Sequence, residues 1–153
     1  MRNQLHLLHN GRDVITLGTC TRELKSKKLC DAACQKRCKR DAVENNKTEF
    51  HTLLCDSVFG LVLPGISPMS YRLAETMACG AIPVIVSDFM LMPLPHVVDW
   101  PSLSFSFPEQ MLASVPDILR SIPDAQLRSM RQRVADEKCF ALPGRTALCG
   151  LKI

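Results

Sequence analysis

Gly65, Ser70, Arg72, Glu75 and Asp88 are spaced closely enough in the chain to meet around one ligand. An arginine fork recognises a phosphate bidentately, and a serine hydroxyl beside it adds a donor. Glu75, three residues after Arg72, could accept hydrogen bonds from a ligand's hydroxyls; the alternative is an ordinary i, i+3 ion pair with Arg72 on a helix surface. Together these residue types point to a phosphate-bearing ligand. His96 is open to two readings, a general base or a histidine bonded to backbone.

These residues need a scaffold, and the surrounding pattern supplies one. Val58 to Leu63 is a short apolar run closed by Pro64 and Gly65, the form of a buried parallel strand. Ser67 followed by Pro68 predicts a helix start, with a cap residue and then a proline whose φ is already helical. Leu73, Ala74, Met77 and Ala78 recur at three- and four-residue spacing, and Gly80 stands where a left-handed C-terminal residue is wanted. The helix is therefore expected over Pro68 to Cys79, with Cys79 a small apolar core residue. Ile82 to Val86 is a second strand, ended by Ser87 and Asp88. Strand, helix and strand make a parallel unit in an α/β, Rossmann-like sheet with flanking helices, whose carboxyl edge carries the ligand. Gly65, Ser70, Arg72 and Asp88 all fall at or near that edge, where the N–H groups opening a helix favour an anion.

Before this unit, Leu5 to His9 reads as a helix stopped by Asn10 and Gly11, Val14 to Leu17 as a short strand, and Glu49 to Cys55 as a short helix or turn. After it, Phe89 to Val98 holds Pro93 and Pro95 and is expected to be a loop packed on the core, with Trp100 as its anchor. Leu103 to Phe107 alternates as a half-buried strand, with Leu103, Phe105 and Phe107 inward and Glu109 at the ligand edge. Helices are expected from Pro116 to about Ile122 and from Pro123 to about Lys138, the latter burying Leu127, Met130 and Val134 and turning Arg128, Arg131 and Arg133 to solvent.

At 153 residues, 46% of them hydrophobic and 22% charged, the chain has the make-up of one folded domain or a fragment. The net charge of +4 is concentrated, because Arg22, Lys25, Lys27, Lys28, Lys36, Arg37, Lys39 and Arg40 face only Glu23 and Asp31 in that stretch. No aromatic residue interleaves with those charges to stack a base, so a solvated face is expected and no nucleic-acid partner. Cys30, Cys34 and Cys38 share one face if helical. Three thiolates could hold a metal, yet the CxxC pairs of structural zinc are missing; the other reading is a surface insertion with disulfides in an oxidising lumen. Asn46, Lys47 and Thr48 form a glycosylation sequon, meaningful in a luminal chain. No run reaches the roughly 20 apolar residues of a spanning helix, and the opening residues are too short in apolar length for a signal peptide.

The succession of Ser57, Phe59, Leu63-Pro64, Gly65, Ser70, Arg72, Glu75, Gly80, Pro83-Val84-Ile85, Ser87-Asp88, Pro93 and Asp99-Trp100 resembles the carboxyl-terminal region of exostosin-like glycosyltransferases. Phe105 to Glu109 resembles that family's strand ending in glutamate, and Pro116 to Val134 its closing helices. The resemblance implies residues 57–138 as a donor-binding region. Residues 1–56 would then be partial leading βα elements carrying the basic, cysteine-containing insertion, and 139–153 an irregular tail.

The resemblance further implies one half of a GT-B architecture, binding a nucleotide-diphosphate sugar for inverting transfer to a glycan hydroxyl. Gly65, Ser70, Arg72, Glu75 and Asp88 would be donor-binding, with Ser70 and Arg72 on the diphosphate and Glu75 on ribose or sugar hydroxyls. The catalytic base would belong to the other half, and none is assigned here. No DxD motif occurs, so no bound metal or cofactor is expected. Partners would be the sugar donor and a glycan acceptor at the luminal side of the Golgi membrane, with the anchor absent from this chain and transfer by this chain alone not expected. The alternative is a non-catalytic Rossmann-like remnant or interaction module.

Overall fold

The computed structural model describes residues 5–15, 47–64 and 70–137. The chain divides into two compact units, Met1–Leu53 and Leu54–Ile153. In the first, helix α1 (Leu5–Leu8) stops where expected, at Asn10 and Gly11. Asn10 organises that stop: its Oδ1 accepts the backbone N–H groups of Arg12, Asp13 and Val14, while Gly11 takes φ +70°, the left-handed conformation open to glycine. Val14 and Ile15 lie in no strand, and Thr16 and Leu17 fall outside the described residues. So do the basic run, Cys20, Cys30, Cys34, Cys38, Asn46 and the tail with Cys139 and Cys149.

Helix α2 (Lys47–Asp56) runs into the second unit, which continues with β1 (Phe59–Val62), α3 (Tyr71–Ala78) and β2 (Ile82–Val86). After these come α4 (Trp100–Leu103), β3 (Phe105–Phe107), a 3-10 turn at Glu109–Met111, α5 (Val115–Arg120) and α6 (Asp124–Glu137). The three strands lie in the order β1-β2-β3, all parallel, with Val62 opposite Ile85 and Val86 opposite Phe107. This is the α/β, Rossmann-like arrangement expected. The central strand β2 is buried throughout, as a run of Ile, Pro and Val covered on both faces requires. On one face, Val62 and Ile85 pack with Leu73 and Met77 of α3, Trp100 and Leu103 of α4, Val98, and Val134 of α6. On the other, the Phe59 and Phe105 rings from the two outer strands meet edge to face, their centroids 6.3 Å apart.

Helix α3 ends as its sequence dictates. Ala81 N–H donates to the Thr76 carbonyl and Gly80 N–H to that of Met77, with Gly80 at φ +70°, which together form a Schellman stop. Its start differs from expectation. Ser70, at φ −124° and ψ 122°, is the N-cap and Tyr71 the first helical residue, while residues 65–69, with the expected Ser67 and Pro68 start, fall outside the described residues.

Two further expectations are corrected. Cys79 is no isolated core residue: it is disulfide-bonded to Cys55, tying the end of α3 to the end of α2 across 24 residues. Both cysteines close helices that lead into adjacent strands, which brings their Cα atoms to 4.4 Å. Leu103 is buried but helical, and β3 begins only at Phe105, because Pro101 in the first turn and Asp99 at the N-cap start a helix that the Leu-Ser-Phe alternation conceals. Ser104 then seals that helix end, its hydroxyl donating to the Trp100 carbonyl at 2.8 Å.

The 87–99 segment is irregular, as its prolines require. Trp100 anchors it, donating its indole N–H to the Pro93 carbonyl at 2.8 Å while the ring itself is buried. Leu94 adopts φ +48°, and the N–H groups of Val97 and Val98 both reach its carbonyl. Met90 and Met92 pack on the core, whereas Phe89, Leu91, Leu94 and Val97 face solvent. On α6, Met130 and Val134 are buried and Leu127 half-buried, with Arg128, Arg131 and Arg133 outward as expected.

Candidate functional site

Three parallel strands send their carboxyl ends to one edge of the sheet, and α3 opens from that edge after β1. Ser70, half-buried, caps the helix with its backbone but not with its side chain, so its hydroxyl is not spent on the helix. Arg72 is the second helical residue. Its Nη1 stands 2.8 Å from Glu75 Oε2, forming the i, i+3 ion pair that the spacing allowed. With the two side chains 39% and 53% exposed, the pair contributes only about 0.2–0.5 kcal/mol to the helix.

On β2, Ser87 N–H donates to the Phe107 carbonyl at 3.1 Å and carries the ladder to β3 one residue past the strand. Asp88 follows, exposed, and its Oδ1 accepts the Glu109 N–H at 3.1 Å. That bond joins the ends of β2 and β3 at the same edge and has no local signature, since the partners are 21 residues apart. Ser87 Oγ also accepts the Phe89 N–H, turning the chain away from the strand.

Of the five residues expected at the site, four are described. Arg72 and Glu75 are brought together on α3, Ser70 is the N-cap of that helix, Asp88 stands at the end of the neighbouring strand, and Gly65 falls outside the described residues. Glu109 sits at this edge as expected, half-buried at the end of β3. His96 is exposed in the turn after Pro95 and its ring makes no hydrogen bond, so neither reading of it gains support. The disulfide lies at the opposite, amino edge, and both its sulfurs are thereby unavailable as thiolate ligands. Among the described residues, no helix is long and apolar enough to cross a membrane.

A family model for the exostosin GT47 domain matches residues 13–122, from ahead of the basic segment to the end of α5. Exostosin-1 of Drosophila melanogaster is 36% identical over 132 residues, which make up 86% of this chain and 17% of that protein. The exostosin-1 homolog of Caenorhabditis elegans is 33% identical over 131 residues, 86% of this chain and 33% of its own length. Exostosin-1b of Danio rerio is 32% identical over 132 residues, with 86% and 17% covered. The chain thus spans between 17% and 33% of the length of these relatives.

Proposed function

The chain belongs to the exostosin GT47 family, and from that premise we propose that it is the donor-binding half of a glycosyltransferase of GT-B architecture. Its ligand is a nucleotide-diphosphate sugar, used for inverting transfer to a glycan hydroxyl. The observation that carries this reading is the opening of α3 at the carboxyl edge of three parallel strands, with an uncommitted Ser70 hydroxyl and Arg72 in the first turn. The diphosphate meets the helix N–H groups, Ser70 and Arg72, where the helix dipole and the guanidinium both favour negative charge. Glu75, held beside Arg72, accepts hydroxyls of ribose or sugar, and we assign Gly65 to donor binding on the family likeness alone.

Transfer also requires a base on the acceptor hydroxyl and a surface for the glycan, which this reading assigns to the opposing half of the enzyme. A disulfide between Cys55 and Cys79 is a bond that an oxidising compartment sustains, which supports placement on the luminal side of the Golgi.

A second reading, a non-catalytic interaction module, draws on the Arg72–Glu75 ion pair, because each charge already has its partner. Calorimetric titration of the folded chain with a panel of nucleoside diphosphates separates the two. The donor-site reading expects weak binding that disappears in Arg72→Glu, since a charge-assisted contact is worth about 1.5–3 kcal/mol. Binding undiminished in a folded Arg72→Glu variant, or no binding by the parent, would overturn it.

A further inference from the structure

The 3-10 turn at Glu109–Met111 starts after Pro108, a residue with no side-chain acceptor to satisfy the first N–H of the turn. Asp88 supplies the missing cap from another strand: its Oδ1 accepts the Glu109 N–H, while Ser87 N–H and the Phe107 carbonyl bond immediately beside it. Two bonds therefore fix the backbone from which the Glu109 side chain departs. The carboxylate of Glu109 has no such commitment. The residue as a whole is half-buried, and its carboxylate makes neither hydrogen bond nor ion pair, at the edge where α3 opens from β1. A carboxylate with no protein partner is suited to the hydroxyls of a ligand.

Resting on the donor-site reading above, we propose that Glu109 is the carboxylate that binds the donor's sugar hydroxyls, leaving those of the ribose to Glu75, and that Asp88 is the positioning residue that holds it there. Asp88 acts through the Glu109 N–H and not on the ligand, so its oxygen matters and its charge does not. Glu109 discriminates sugar-linked from bare diphosphate, a task distinct from the phosphate binding of Ser70 and Arg72.

The test uses the whole chain, titrated with uridine, guanosine and adenosine diphosphates and with their hexose-linked forms. For the nucleotide that binds, Glu109→Gln should weaken the sugar-linked form about tenfold while leaving the bare diphosphate within about twofold of the parent. Asp88→Ala should lose the same sugar-linked affinity and speed amide exchange at Glu109. Asp88→Asn, which keeps an oxygen for that N–H, should restore both. A merely structural Asp88 would weaken bare and sugar-linked forms alike.

The proposal is overturned if Asp88→Asn behaves as Asp88→Ala, which would place the Asp88 charge on the ligand itself. It is equally overturned if Glu109→Gln binds the sugar-linked form as the parent does, or if the sugar adds no affinity in the parent. Those results leave diphosphate binding, and with it the donor-site reading, intact. If no diphosphate binds the parent, that reading fails and this assignment falls with it.

Discussion

Gly60 on β1 lies beneath the side chain of Thr76 on α3, so closely that a Cβ on Gly60 would come within 2.3 Å of Thr76 Cγ2 and 2.5 Å of its Oγ1. Helix and strand approach because one has no side chain where the other presents a branched one. The contact carries a cost: Thr76 is fully buried, and its Oγ1 has no hydrogen-bond partner.

From that pair, Gly60→Ala should destabilise the fold by roughly 1–3 kcal/mol through overpacking. Thr76→Ala in the same chain should return part of the loss, so that the two changes are coupled. Thr76→Val keeps the shape and removes the unpaired hydroxyl, and should raise stability by about 1 kcal/mol. Urea unfolding of the four variants measures all of this; additive effects of Gly60→Ala and Thr76→Ala would mean that helix and strand do not meet here.

Trp100 offers a second check. It is the chain's one tryptophan, buried, with its N–H on the Pro93 carbonyl. Its emission should therefore be blue-shifted and move to the red with global unfolding. Trp100→Phe keeps most of the ring packing but strands the Pro93 carbonyl, at a cost of about 1–3 kcal/mol, and amide exchange at Val97 and Val98 should quicken as the loop loosens. Solvent-exposed emission from the native chain would contradict the anchor.

These relationships differ in how far the sequence exposes them. Ile82 to Val86 was legible to the residue because a β-branched run bounded by Gly80 and Ser87 has one outcome. The stop of α3 at Gly80 was legible because only a left-handed residue completes that turn. Leu103 misled, since its alternation with Phe105 continues across a helix-to-strand junction where period two and a single helical turn look alike. Cys79 misled because an amphipathic stripe identifies a face and not a covalent partner, and Cys55 lies in another helix. At the candidate site, Arg72 and Glu75 were readable as neighbours one helical turn apart, with Ser70 near the helix start. The Asp88–Glu109 bond was not, because it spans two strands and depends on the register between them.

The Arg72–Glu75 pair separates stability from binding. An i, i+3 pair with its side chains 39% and 53% exposed contributes only tenths of a kcal/mol, so Arg72→Ala should shift the unfolding free energy by less than about 1 kcal/mol. Its effect on nucleoside-diphosphate affinity should be about tenfold or more. Paired denaturation and calorimetry on one preparation provide the comparison. Equal effects in both would return Arg72 to a purely structural role.

The Cys55–Cys79 bond closes a loop containing β1 and all of α3, and so constrains the unfolded chain more than it shapes the folded one. For a loop of this length the chain-entropy account gives about 3.5 kcal/mol. Replacing both cysteines with serine should lower the urea midpoint accordingly. Reductant should have a smaller effect on that variant than on the parent, and non-reducing peptide mapping of the parent should recover the 55–79 crosslink. Because the bond sits at the amino edge of the sheet, nucleoside-diphosphate affinity in the double variant should stay within about twofold of the parent once both are folded. A parent whose Cys55 and Cys79 titrate as free thiols would remove the crosslink, and with it the support it lends to a luminal setting.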